Sequence, residues 1–169
     1  PTGAATMTLN ITGNTIRNWA TNNGIDITAG DGGAITGPNV NLTITGNTLH
    51  LDNSTANQLH GISAVMGTTS TGGAVNACVD IGGSGLQNNV AGSIGIGGSE
   101  IRVRQRFAAN VRLPGFPGPN NNGGTSAAAA VTYLQGRNTG AANATVTVNA
   151  TGAAGTGTFT GGSACTQAP

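Results

Sequence analysis

Few side chains in this sequence can do chemistry, so each can be weighed. The acids are Asp26, Asp31, Asp52, Asp80 and Glu100. Hydrolysis of a glycosidic bond needs two carboxyl groups held close together. No two of these acids adjoin, although stacking of chain segments could bring Asp26, Asp52 or Asp80 onto one face. Exposed or turn-capping Asp is the plainer expectation. His50 and His60 flank Asp52, and a Ser54/His60/Asp52 grouping can be drawn from the types alone. No Gly-x-Ser-x-Gly elbow presents a nucleophile, so surface or loop histidines are expected.

The one charge cluster is Arg102, Arg104 and Arg106. Alternation puts the three on one face of a strand. Three guanidinium groups in a row could hold an anionic glycan, a sulfate or a lipid phosphate. The structural expectation is that their stems cover a seam between chain segments. Glu100 and Asp80 are then candidate partners, and Arg112 and Arg137 candidate neighbours. Cys78 and Cys165 lie 87 positions apart. A disulfide between them is the simplest reading; the alternative is two separate thiols, one buried as a small hydrophobe. Neither belongs to a CxxC pair, and both histidines are distant in sequence, so no metal site and no cofactor is expected. Asp31-Gly32-Gly33 has the form of a calcium-binding Gly-Asp repeat in a single copy, which is weak support.

The elements that must position these residues repeat along the chain. Ile11-Thr12-Gly13-Asn14-Thr15-Ile16 returns as Ile44-Thr45-Gly46-Asn47-Thr48-Leu49, with a weaker echo in Ile81-Gly82-Gly83-Ser84-Gly85-Leu86. A second element reads Gly24-Ile25-Asp26-Ile27, then Gly61-Ile62-Ser63-Ala64-Val65, then Gly95-Ile96-Gly97-Gly98-Ser99. Two elements in constant order at a nearly constant period indicate a solenoid. Alternation in Thr8-Leu9-Asn10-Ile11-Thr12 and Asn41-Leu42-Thr43-Ile44-Thr45 has the period of half-buried strands. Gly-Asn supplies the corner, because both residues tolerate a left-handed backbone. Ile11 should then lie under Ile44, and Ile25 under Ile62. Asn amides at stacked corners can hydrogen-bond to one another.

Composition agrees. The 169 residues include 30 Gly, 25 Thr and 20 Asn, and only 7% are charged, against about 25% in ordinary globular chains. β-Branched residues in short alternating runs argue against disorder. The absence of Lys excludes Schiff-base chemistry, a P-loop and Lys–Asn isopeptide cross-links. A net charge of +1 argues against nucleic acid, which needs a dense basic face. No apolar run is long enough to insert into a membrane. The opening residues lack the basic start and apolar stretch of a signal peptide, and the chain reads as cut from something longer. Asn-x-Ser/Thr at Asn10, Asn41, Asn53, Asn143 and Asn149 is expected from composition and implies no glycosylation.

The coil elements resemble those of right-handed parallel β-helix proteins, the pectate-lyase-like superfold. Within it the chain is most similar to the C-terminal end of large bacterial secreted or surface β-helix repeat proteins. Cys78-Val79-Asp80-Ile81, Ile101 to Phe107, Arg112-Leu113-Pro114-Gly115 and Gly161-Gly162-Ser163-Ala164-Cys165 carry that likeness. It implies an all-β fold, a right-handed parallel β-helix over residues 1–107 with a C-terminal cap at 108–169 in the same domain. The cap is expected to hold a loop, a short helix from Ala127 to about Gln135 capped by Ser126 and ended by Gly136, a strand at 144–149 with Val146 and Val148 inward, and a Gly-rich tail. The disulfide Cys78–Cys165 would tie the cap to the third coil. The resemblance implies a secreted or cell-surface protein and names no activity. Polysaccharide lyases and hydrolases share the superfold; lyases of the pectate type cluster Asp around calcium with a Lys or Arg base, a pattern this chain lacks. The expected function is therefore structural or adhesive and non-enzymatic. Expected partners are the chain itself by coil stacking, which could give head-to-tail filaments, upstream coils of the same polypeptide, or a surface or matrix polysaccharide. The rival expectation is a polysaccharide-binding or polysaccharide-cleaving protein; with Trp19 the only Trp and Tyr133 in the cap helix, an aromatic sugar platform is poorly supported.

Overall fold

The computed structural model describes residues 5–30, 38–53, 55, 57–67, 75–83, 85–106, 109–118, 124–149 and 159–166, with backbone only for 124–126 and 145–149. Asp31, Ser54 and Phe107 fall outside this set, and with them the calcium reading and the Ser54 grouping. The side chains of Ser126, Val146 and Val148 also lie outside it.

Alternating aliphatic and Thr or Asn residues build strands with one apolar face. In β4 (Asn39–Thr45), Val40, Leu42 and Ile44 are buried, and Asn39 is exposed. That row of three sits on Met7, Leu9 and Ile11 of β1 (Thr6–Thr12), in a parallel register that also places Thr6 beside Asn39. On its other side β4 pairs with β7 (Asn76–Ile81), Leu42 beside Val79 and Ile44 beside Ile81. β9 (Asn110–Arg112) and β11 (Phe159–Thr160) complete a five-stranded sheet, β1-β4-β7-β9-β11. A second sheet has the order β10-β8-β6-β3, from β3 (Ile25–Ala29), β6 (Ile62–Met66), β8 (Ile101–Arg106) and β10 (Thr145–Asn149). A third joins β2 (Thr15–Arg17) to β5 (Thr48–His50) and continues through the single bridges Thr48–Asn89 and Asn89–Thr139. Every pairing between these strands is parallel. The chain visits the sheets in a fixed order, first, third, second, and then returns one strand further along. The expected stacking of Ile11 with Ile44 and of Ile25 with Ile62 is thus present.

Two repeat boundaries differ from those in the sequence. The third copy of the Gly-Ile element is Ile101, which pairs with Ile62, and Gly95-Ile96 forms no strand. Ile96 is 61% exposed. Likewise Leu86 does not continue the Ile16–Leu49 stack; it is 59% exposed, and Leu49 instead neighbours Val90, which is fully buried. Both shifts have one cause. Asn88 occupies the corner above Asn47, so the third turn of chain is longer than the second, and Gly85, Leu86 and Gln87 before that corner are exposed. Near Gly95 and Gly98, hydrogens replace side chains where the backbone passes against Gln58 and Leu59.

Helix α1 runs from Gly124 to Arg137, longer than the Ala127–Gln135 expected, and Gly136 lies inside it. Helix geometry tolerates Gly at a modest cost, and Asn138 supplies the stop: its Nδ2 donates to Leu134 O at 2.9 Å. Ala130 and Leu134 are buried against the core, and α1 lies along β10 and β11. The segment expected as a cap therefore contributes β9, β10 and β11 to the sheets of the first 107 residues. Tyr133 hydrogen-bonds Pro114 O and meets Phe116 edge to face at 5.6 Å, fixing the helix against the Pro-rich loop.

Candidate functional site

The outer face of the second sheet carries the arginine row. Ile101 and Val103 are fully buried and Gln105 points inward with them, so Arg102, Arg104 and Arg106 project outward, each partly buried. Successive guanidinium stems leave the strand about 6.6 Å apart, twice the rise per residue. Arg102 Nη2 donates to Ser63 Oγ at 2.9 Å. Ser63 and Val65 on β6 lie beside Arg102 and Arg104, Gly67 just past β6 lies against Arg106, and Thr145, Thr147 and Asn149 on β10 lie on the other side of the three. Burial lowers the pKa of Arg102, with Asp26 opposing and Arg106 assisting. Burial also lowers that of Arg104, and its two arginine neighbours add to the effect. The Nε atoms of Arg102 and Arg106 are shielded from solvent and meet no acceptor among the described residues.

The partners considered for this row are occupied elsewhere. Glu100 accepts from the Asn143 backbone N–H at 2.7 Å and from Asn143 Nδ2 at 3.0 Å. Asp80 accepts from Arg137 Nη2 at 2.6 Å, and the Arg137 guanidinium stacks 5.0 Å from the Tyr133 ring centre. Arg112 lies on β9 in the first sheet and donates to Ser163 Oγ at 2.8 Å. Neither Arg112 nor Arg137 joins the row.

The acids do not converge. Asp26 lies on β3 in the second sheet, Asp80 on β7 in the first, and Asp52 just beyond β5 at the third. Asp52 is engaged at the surface: Arg17 donates at 2.6 Å, Asn18 Nδ2 at 2.7 Å, and His50 Nε2 stands 3.5 Å away. The Asn18 hydrogen bond, aided by Arg17 and His50, holds its carboxyl below the usual range. His60 is buried, and its Nδ1 accepts from the Ser99 N–H at 3.0 Å. Burial, reinforced by Arg102, pushes its pKa down. Among the described residues, no three His, Cys, Asp or Glu side chains could hold a metal ion.

Two features could not be listed from residue types alone. The first is an asparagine ladder at the corner. Asn14 donates from Nδ2 to Asn47 Oδ1 at 3.0 Å, Asn47 likewise to Asn88, and Asn88 to Asn138 at 2.8 Å. Asn14 and Asn47 are visible in the repeat; Asn88 and Asn138 are not, because the intervening segments differ in length. The second is an open cleft of about 260 Å³ on the outer face of the first sheet. Asn39, Asn76 and Asn110 form one row of its floor, and Asn41, Cys78, Arg112 and Thr160 the next. Cys78 is bonded to Cys165, with Cα atoms 5.5 Å apart. The disulfide, with the Arg112–Ser163 bond, holds the final residues on this face. The segments lining the cleft are far apart in sequence, so only their register reveals it.

No helix among the described residues is long and apolar enough to cross a membrane. The chain matches no protein-family model, no curated protein and no solved structure.

Proposed function

We propose that this chain is a right-handed parallel β-helix module of the pectate-lyase-like type, acting outside the cell as a non-enzymatic structural or adhesive element. The observation that carries the reading is the register: parallel strands stack in all three sheets, with Ile11 on Ile44 on Ile81 and Ile25 on Ile62 on Ile101. Such stacking gives a rigid column whose stability is the sum of neighbouring contacts. A disulfide joining residues 87 apart suits an oxidising compartment.

The column has an unfinished end. Among the described residues β1, β2 and β3 are each the last strand of their sheet. Met7, Leu9, Ile11, Ile16 and Ile27 are only partly buried, while the matching residues one strand inward, Val40, Leu42, Ile44, Leu49 and Ala64, are almost wholly so. An edge with unpaired backbone groups and an apolar row is a template for another parallel strand. Stacked coils, from another part of the same polypeptide or from a second copy, would cover it; a second copy joined head to tail gives a filament. Light scattering with electron microscopy of the purified chain tests this. Rods or concentration-dependent oligomers support stacking between copies, and a stable monomer at millimolar concentration counts against it.

A further inference from the structure

Half of the six Arg and Lys residues sit on one six-residue strand, and among the described residues only Asp26 offsets any of their charge. Asp52, Asp80 and Glu100 are held by Arg17, Arg137 and Asn143. Asp26 is the one described acid on the arginine sheet; it stands two strands from Arg102, across Ser63, and offsets part of the charge of that arginine. Arg102 spends one donor on Ser63; Arg104 and Arg106 make no hydrogen bond or ion pair with the described residues. Gly67, just beyond β6, lets its backbone pass close against the Arg106 carbonyl. Like-charged side chains leaving one strand about 6.6 Å apart, partly removed from water and with Asp26 as their one counter-charge among the described residues, are an unfavourable arrangement that a bound anion would relieve.

The geometry selects among anions. The three stems leave the strand in a line spanning about 13 Å from Arg102 to Arg106. A line of cations suits a polymer with repeated anions better than a single small one. A carboxylate or a phosphodiester offers two free oxygens and is satisfied by one arginine fork. A sulfate ester offers three, so it can bridge adjacent forks. Nucleic acid would also need stacking surfaces or a wider basic area, and no aromatic side chain lies on β3, β6, β8 or β10. We propose that Arg102, Arg104 and Arg106 form a binding strip for a linear polymer bearing repeated sulfate esters. This deepens the adhesive half of the reading above; stacking of copies stands independently of it.

Dextran sulfate is the probe, with neutral dextran, polygalacturonate and single-stranded DNA as comparators, measured by calorimetry at low and physiological salt. Dextran sulfate should bind the parent chain most tightly, with affinity falling as salt rises. The Arg102→Gln/Arg104→Gln/Arg106→Gln variant should bind about 30-fold more weakly. The triple Lys variant, with the charge but not the fork, should fall between them. Should the triple Gln variant fail to fold by circular dichroism, Arg104→Gln alone should weaken binding about threefold, because Arg104 holds no described partner. Unchanged affinity in the Gln variants, full affinity in the Lys variant, or equal binding of DNA or polygalacturonate would each overturn the proposal. Light scattering on the same variants reports stacking separately: a chain that still assembles but ignores dextran sulfate refutes the strip and leaves the structural reading intact.

Discussion

At the scale of residues, buried amides matter more than charges. Asn47 and Asn88 are fully buried, yet each carboxamide both donates and accepts within the corner ladder. Asn88 Nδ2 reaches Ile44 O at 2.8 Å, and its Oδ1 accepts from the backbone and side chain of Asn47. Replacing it leaves several buried groups without partners, each worth about 1–3 kcal/mol. Asn88→Ala should therefore lower stability by about 3 kcal/mol in urea titrations, whereas exposed Asn10→Ala should change it little. His60 gives a pH dependence. Its folded pKa lies below the unfolded value of about 6.5, so the unfolded chain binds the proton more readily. Stability is then fully present above about pH 6.5 and declines as pH falls through that value toward the folded pKa. His60→Gln should flatten the unfolding midpoint between pH 7.5 and pH 5; an unaltered slope would assign the dependence to other groups.

At the scale of elements, the strand alternation was legible and its interruptions were not. β1 and β4 stand out because Leu-x-Ile recurs with Thr between. Gly95-Ile96 reads as well as Glu100-Ile101 for the third copy, because one Gly-Ile pair carries no record of what lies beside it. Packing decides: at Gly98 an added Cβ would collide with the Leu59 carbonyl, so this stretch must run as a tight corner against the turn below. Gly98→Ala should cost about 3 kcal/mol as overpacking against backbone, read from the thermal midpoint, and Ile96→Ser should cost almost nothing because Ile96 faces water. The helix was recognisable from its alanines, but its end was not. Asn138 stops it by joining the ladder that begins at Asn14, through a contact with Asn88 across 50 residues.

At the scale of the whole molecule, one covalent bond and one open edge govern behaviour. The Cys78–Cys165 link closes 87 residues, worth roughly 4.5 kcal/mol in the chain-entropy model. Cys78→Ser/Cys165→Ser should lose stability of that order, measured by urea midpoint against the oxidised parent, and the lost anchor should loosen the segment beside the cleft. Leu9→Lys should suppress any oligomers seen by light scattering, since a second copy would have to bury that charge, while the monomer keeps its fold because Leu9 is already half exposed. Sequence alone determined the strand period, the stacking of Ile11 on Ile44 and of Ile25 on Ile62, the parallel β class and the outward arginine row, because each follows from local alternation and exact repetition. Tertiary structure decided which Asn completes the ladder, where Ile101 replaces Ile96, which acids Arg137 and Arg17 take, and that distant strands enclose a polar cleft. Those depend on the lengths of bulges between turns, and a bulge shifts the register of everything after it without leaving a mark in residue type.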